Sequence, residues 1–253
     1  MSLPKKQPNG AIIYRGPSQL DGAPIVVIAI GLNITSENRK TGNMIQTYII
    51  RDDMTPIAAV HAGKDDSICG DCVHRGDGKG KKRTCYVNLG QGPLIVFNTF
   101  MAGGYPDISG DSAAVANIAR GRLVRIGTYG DGAAAPLYVW DDLTQYAIGH
   151  TGYTHQWKTR PELQQYCMAS VDTESESIDA RLAGWRTFRV ALPGHVAKLE
   201  KESVCPASKE AGKKLTCDVC LACDGTASNR KGSIVIQAHG GTAVMANIQR
   251  MAA

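Results

Sequence analysis

Aromatic side chains are scarce in this chain of 253 residues, making up 6% of it, with three Phe and three Trp. A surface that stacks the bases of single-stranded nucleic acid interleaves aromatics with cations. The most basic stretch, Lys79, Lys81, Lys82 and Arg83, contains none, so nucleic acid is expected at most as a phosphate contact. Long apolar runs are also missing. The run IVVIAIG at 25–31 has the length of a buried strand, far below the roughly 18 apolar residues of a membrane span, and no membrane association is predicted. The opening MSLPKKQPNG has no apolar stretch of the signal-peptide kind, which points to the reducing cytoplasm. No G-x-x-x-x-G-K-[ST] and no H-E-x-x-H occurs, and Gly76, Gly78 and Gly80 follow no strand in the register of a dinucleotide fingerprint. The reaction, if there is one, is not written in a motif of these kinds.

What the chain does have is eight cysteines. Cys205, Cys217, Cys220 and Cys223 read C-x11-C-x2-C-x2-C, Cys69, Cys72 and Cys85 read C-x2-C-x12-C, and Cys167 stands between the groups. A disulfide framework belongs to small secreted domains without a sufficient core, whereas this chain is 43% hydrophobic and long enough to bury one. Thiols two residues apart converge on one small centre, and their mutual repulsion as thiolates calls for a cation among them.

For the C-terminal group the tight C-x2-C-x2-C run, with a remote cysteine followed by Pro206, predicts a [4Fe-4S] cluster held by Cys205, Cys217, Cys220 and Cys223. Zinc is the alternative, although its sites more often use two separated C-x2-C pairs. The Cys-Pro precedes the tight run here, unlike the order in bacterial ferredoxins. Cys69, Cys72 and Cys85 predict a second metal site, with Cys167, His74 or His61 as a fourth ligand, or with one position left open for a substrate. The Gly, Lys and Ser residues around Cys217–Cys223 predict a position near the surface. Basic residues outnumber acidic ones 28 to 23, a formal charge of +5, but two filled four-thiolate sites would bring it to about +1. Bulk charge is therefore a weak pointer to nucleic acid. Lys79, Lys81, Lys82 and Arg83 before Cys85, Lys213 and Lys214 before Cys217, and Arg230 and Lys231 after Cys223 would favour thiolates locally.

Extended segments and loops are expected up to about residue 108, with strands at IVVIAIG and TYIIRDD and a third at PIAAVHAG. Beyond 110 the pattern alternates: a helix opened by Asp111, the strand LVRIGTYGD, a helix after Pro136, extended TGYTHQW, helical PELQQY, the strand CMASVDT, a helix behind the Thr173–Glu176 capping box, then the strands TFRVAL and SIVIQA. Such alternation predicts parallel strands with helical crossovers. The fold expected is a single α/β domain over 1–253, a partial or distorted barrel of parallel strands, with irregular cysteine-rich metal-binding insertions, the C-terminal one at about 203–232. Ligands gather at the carboxyl ends of parallel strands, where Asp131, His155, Asp172 and His239 stand. Asp131, His155 and Asp172 are the candidate catalytic residues, each with the ordinary alternative of capping or packing.

The segments CGDCVHRG, RTCYVNLGQGP, RIGTYGD, TGYTHQW, MASVD, GWRTFRV and CPASKEAGKKLTC, over roughly 40–240, resemble an uncharacterised family of bacteriophage proteins with cysteine motifs. The resemblance implies a viral protein working in the host cytoplasm. That family is distantly similar to radical S-adenosylmethionine enzymes, which implies a partial α/β barrel and a three-cysteine cluster. The usual C-x3-C-x2-C of those enzymes is replaced here by C-x2-C-x12-C. Two functions follow as expectations: an iron–sulfur protein of redox or radical type, acting on a small molecule or with a redox partner, or a zinc-binding structural or nucleic-acid-binding protein.

Overall fold

A computed structural model describes residues 7–34, 38–79, 82–192, 198–230 and 232–252. Lys81 and Lys231, two of the cations flanking the cysteines, lie outside the described residues. The chain opens with an antiparallel meander of β1 (Gly10–Pro17), β2 (Pro24–Ile30) and β3 (Ile45–Arg51). β-branched residues fill β2 and β3, and both are buried on each face, so they read as continuous apolar runs.

From β3 onward every pairing is parallel. β4 (Leu123–Tyr129) and β5 (Gly149–Thr151) complete the first sheet in the order β1-β2-β3-β4-β5. β6 (Tyr153–Thr154), β7 (Met168–Val171), β8 (Thr187–Ala191), β9 (Glu202–Val204) and β10 (Ser233–Gln237) form the second, in the order β6-β7-β8-β10-β9. Only Gly152 separates β5 from β6, so one extended segment is the last strand of one sheet and the first of the other. A Cβ at 152 would lie 2.8 Å from both Cys167 Sγ and the Tyr166 carbonyl oxygen, which is why the junction is a glycine. Mixed α/β architecture with parallel-rich sheets is thus established, and the described strands close no barrel.

The segment PIAAVHAG departs from the strand expected of it. Residues Pro56–His61 are helix α1, because Thr55 Oγ1 accepts from Ala58 N and Pro56 suits a first helical turn. The part of the chain before 108 also holds α2 (Asp66–Cys69) and α3 (Gly92–Met101), so it is not simply extended. Among the later helices, α4 (Ser112–Ile118) is capped by Asp111, α5 (Leu137–Thr144) follows Pro136, and α6 (Glu174–Leu182) is capped by Thr173. α7 (Cys217–Cys220) is a single turn, and α8 (Thr242–Ala252) ends the chain. TGYTHQW is extended only to Thr154, and Gln156–Lys158 turn into a 3-10 helix. A main core centred on β2–β4 and Trp140 is joined by a smaller cluster of Met168, Cys205, Cys223, Ile234 and Ile236.

Candidate metal centre and its cavity

The carboxyl ends of the parallel strands carry the chemistry. Cys69 and Cys72 come after β3, Asp131 after β4, His155 after β6, Asp172 after β7, Cys205 after β9 and His239 after β10. Alternate residues of the strands line a cavity of about 650 Å³: Gln46 and Tyr48, Arg125 and Gly127, Thr151 and Tyr153, Phe188 and Val190. The turn at Gly130 makes room for this: its φ is +82°, and a Cβ there would meet Ile49 Cβ at 2.7 Å.

Seven of the eight cysteines line that one cavity: Cys69, Cys72 and Cys85, and Cys205, Cys217, Cys220 and Cys223. Cys69 closes helix α2, and burial together with the neighbouring Cys72 and Cys85 pushes its thiol well up. Burial also raises Cys85, against the pull of Arg83. In the other group burial raises Cys205 and Cys217, with Lys40 opposing for both and Arg125 for Cys217. Cys223 is pushed up to about 12 by burial, despite a hydrogen bond from Tyr153. The C-terminal group is less exposed than its loop composition suggests. Cys205, Cys217 and Cys223 are 6%, 8% and 7% exposed, because Cys217 N donates to Lys40 O, Cys205 N to Val235 O, and Gly152 N to Cys223 O.

Cys167 stands elsewhere. It is fully buried in the main core, its sulfur facing Gly132 and Gly152, with Asp131 as its charged neighbour. It does not line the cavity. Placement at the buried start of β7 therefore takes it away from the Cys69, Cys72 and Cys85 group it was expected to complete. His61 is exposed at the end of α1. His239 lies at the cavity rim, its ring 5.4 Å from that of Tyr86.

His155 reaches the triad, its Nε2 3.9 Å from Cys72 Sγ. Asp131 fixes it by accepting from its backbone N at 2.8 Å, and accepts from Ala133 N at 2.9 Å. Asp131 is thus a cap and a positioning group at once, and burial raises its carboxyl. Asp172 stands between two imidazoles, 2.7 Å from His74 Nε2 and 3.4 Å from His155 Nε2. Although burial opposes it, hydrogen bonds from these two rings hold the Asp172 carboxyl well below the usual range. Thr173, not Asp172, caps α6.

Four residues escaped the sequence reading: Lys40, Arg125, Tyr129 and Tyr153. Arg125 is a buried cation, its guanidinium 5.3 Å from the Tyr153 ring. The one available signal was a charge inside the apolar strand LVRIGTY. Among the described residues, Lys40, Arg83 and Arg125 have no carboxylate within ion-pair distance. Thr128, Tyr129 and Thr151, which are among the residues lining the cavity, have buried hydroxyls with no hydrogen-bond partner among the described residues. The basic residues flagged near the C-terminal cysteines do less: Lys213 and Lys214 are exposed, and Arg230 donates to the carbonyl oxygens of Cys220 and Leu221.

No family model, curated protein or solved structure matches the chain.

Proposed function

We propose that the protein is an iron–sulfur protein of redox or radical type. Cys205, Cys217, Cys220 and Cys223 hold a [4Fe-4S] cluster, and Cys69, Cys72 and Cys85 hold a second cluster with one iron open to the cavity. The observation that carries this reading is that both cysteine groups line the same cavity of about 650 Å³, which is a volume suited to a small-molecule ligand. On this reading the two sheets act as a partial barrel, joined at Gly152 and wrapped around that space.

The donor chemistry fits. An oxidised four-iron core with four thiolates carries about −2, and with three thiolates about −1. Lys40, Arg83 and Arg125 supply three positive charges beside these sulfurs. A single zinc ion would hold tetrahedral sulfurs about 3.8 Å apart, given Zn–S bonds of about 2.3 Å. Among the described residues no three cysteine sulfurs lie within 4.8 Å of one another, so neither group has the sulfurs of a closed zinc site already gathered.

Bound clusters would supply single electrons. The protein's own part is to hold the thiolates, to balance them with buried cations, and to place Asp131 and His155 beside the open position. The test is the iron, zinc and acid-labile sulfide content of protein reconstituted anaerobically. About eight irons per chain are expected, falling to about four in either Cys72→Ser or Cys220→Ser. Stoichiometric zinc without sulfide would overturn the proposal.

A further inference from the structure

His74, His155 and Asp172 come from three separate parts of the chain and converge on one point. Among the described residues they are the one set of three or more His, Cys, Asp or Glu residues whose donor atoms lie within 4.8 Å of one another. His74 is on the loop after α2, His155 follows β6, and Asp172 follows β7. Each is fixed by a further contact. His74 Nδ1 is 2.8 Å from Thr84 Oγ1, the backbone N of His155 donates to Asp131 at 2.8 Å, and that of Asp172 donates to Glu176 Oε2 at 3.0 Å.

Both ring nitrogens of His74 have oxygen partners: Nδ1 is 2.8 Å from the Thr84 hydroxyl, which can donate or accept, and Nε2 is 2.7 Å from Asp172 Oδ1. A metal ion bound by Nε2 and Oδ1 would take the place of the proton they share, with Thr84 accepting from Nδ1–H. His155 Nε2 faces Asp172 Oδ2 at 3.4 Å and Cys72 Sγ at 3.9 Å, and one N–H cannot point at both. The two rings are not stacked: their planes are inclined at 71° and their centroids are 5.7 Å apart. Metal–ligand bonds of about 2.1 Å put neighbouring donors about 3.0 Å apart in octahedral and about 3.4 Å apart in tetrahedral geometry, against the nitrogen–oxygen distances of 2.7 and 3.4 Å here. The side chains of His74, Asp172 and His155 are 22%, 20% and 21% exposed, so an ion has a path in.

We propose that His74, His155 and Asp172 form a mononuclear site for a divalent first-row transition ion beside the cavity, with two imidazoles and one carboxylate as ligands and the remaining positions open. Such a donor set suits Fe²⁺, Mn²⁺ or Zn²⁺, and Thr84 is the outer partner that orients His74. The site adjoins the Cys69, Cys72 and Cys85 group, since His155 Nε2 is 3.9 Å from Cys72 Sγ, but it uses none of those thiols as a ligand.

Mn²⁺ is the discriminating probe, because nitrogen and oxygen donors suit it and thiolates do not. Protein with its cysteine sites loaded would be titrated anaerobically with Mn²⁺ while the EPR signal of the free ion is followed, and iron counted in the same samples. Wild type is expected to take up about one Mn²⁺ per chain. His74→Gln and Asp172→Asn should each weaken uptake at least tenfold and Thr84→Val by a smaller factor, all with unchanged iron and circular dichroism. No uptake by wild type, or uptake that both His74→Gln and Asp172→Asn retain, would overturn the site. So would a His155→Ala variant that keeps its Mn²⁺ and loses iron, because His155 would then belong to the cluster. Iron content reports on the cysteine sites independently of the Mn²⁺ result.

Discussion

Cys167 and Gly152 meet at the seam between the two sheets, where the sulfur occupies the space that a side chain at 152 would need. Cys167→Ala should therefore leave metal content untouched and cost on the order of 1 kcal/mol, the scale of deleting one buried heavy atom. Gly152→Ala should cost more, about 1–3 kcal/mol, because the new methyl meets the fixed Tyr166 carbonyl oxygen as well as the sulfur. Urea denaturation and iron assay of the two variants check both statements, and loss of iron in Cys167→Ala would make it a ligand. Sequence spacing could not settle this point. Cys69, Cys72 and Cys85 share a short loop and declare themselves, but whether Cys167 reaches them depends on which side of β7 its sulfur takes. The same holds for His74 and Asp172, which are 98 residues apart and paired only by the fold.

At the scale of elements, the periodic segments were the legible ones. Asp111, Pro136 and Thr173 mark the starts of α4, α5 and α6 because capping is local chemistry. PIAAVHAG misleads because its apolar residues suit either state, and the Thr55-Pro56 start decides for helix. The C-terminal cysteine segment has almost no regular structure, and its anchorage is not periodic at all. Arg186, at the entry to β8, donates to the carbonyl oxygens of Ala222, Gly225 and Gly232 and to Asp224. Its side chain and that of Asp224 are 7% and 12% exposed. Arg186→Met would leave Asp224 buried without its partner, a loss of about 3–5 kcal/mol. The segment around 217–225 should then gain hydrogen exchange, and on the proposed reading it should give up its iron while the iron held by Cys69, Cys72 and Cys85 stays. Equal loss from both groups would show that Arg186 supports the whole sheet and not this loop.

For the whole molecule, acid sensitivity offers a measurement that does not involve the cysteines or the His74, His155 and Asp172 cluster. Burial depresses the pKa of His150, whose Nε2 lies 3.3 Å from the Gln165 carbonyl oxygen, with the Tyr166 ring and the charge of Asp224 beside it. The unfolded chain takes up this proton near the ordinary imidazole value of 6.5 and the folded chain only at lower pH. Between those points the unfolded state binds more protons, so stability falls as pH drops through that window. His150→Gln should flatten the fall between about pH 7.5 and pH 5.5 relative to wild type, read as urea midpoints at each pH; an identical slope would place the sensitivity elsewhere. The tie between the C-terminal cysteines and the chain before β3 bears on how the protein is made. Asn43 N donates to Asp218 across 175 residues of sequence, and Cys217 N to Lys40 O. At about 5–20 residues per second, the ribosome delivers one partner roughly 9–35 s after the other. During that interval the stretch from Lys40 to Asn43 has been synthesised without the loop it will hold. On the proposed reading, a cluster on the C-terminal cysteines can therefore close only after that interval, once Cys217 and Asp218 have reached the Lys40–Asn43 stretch that holds them.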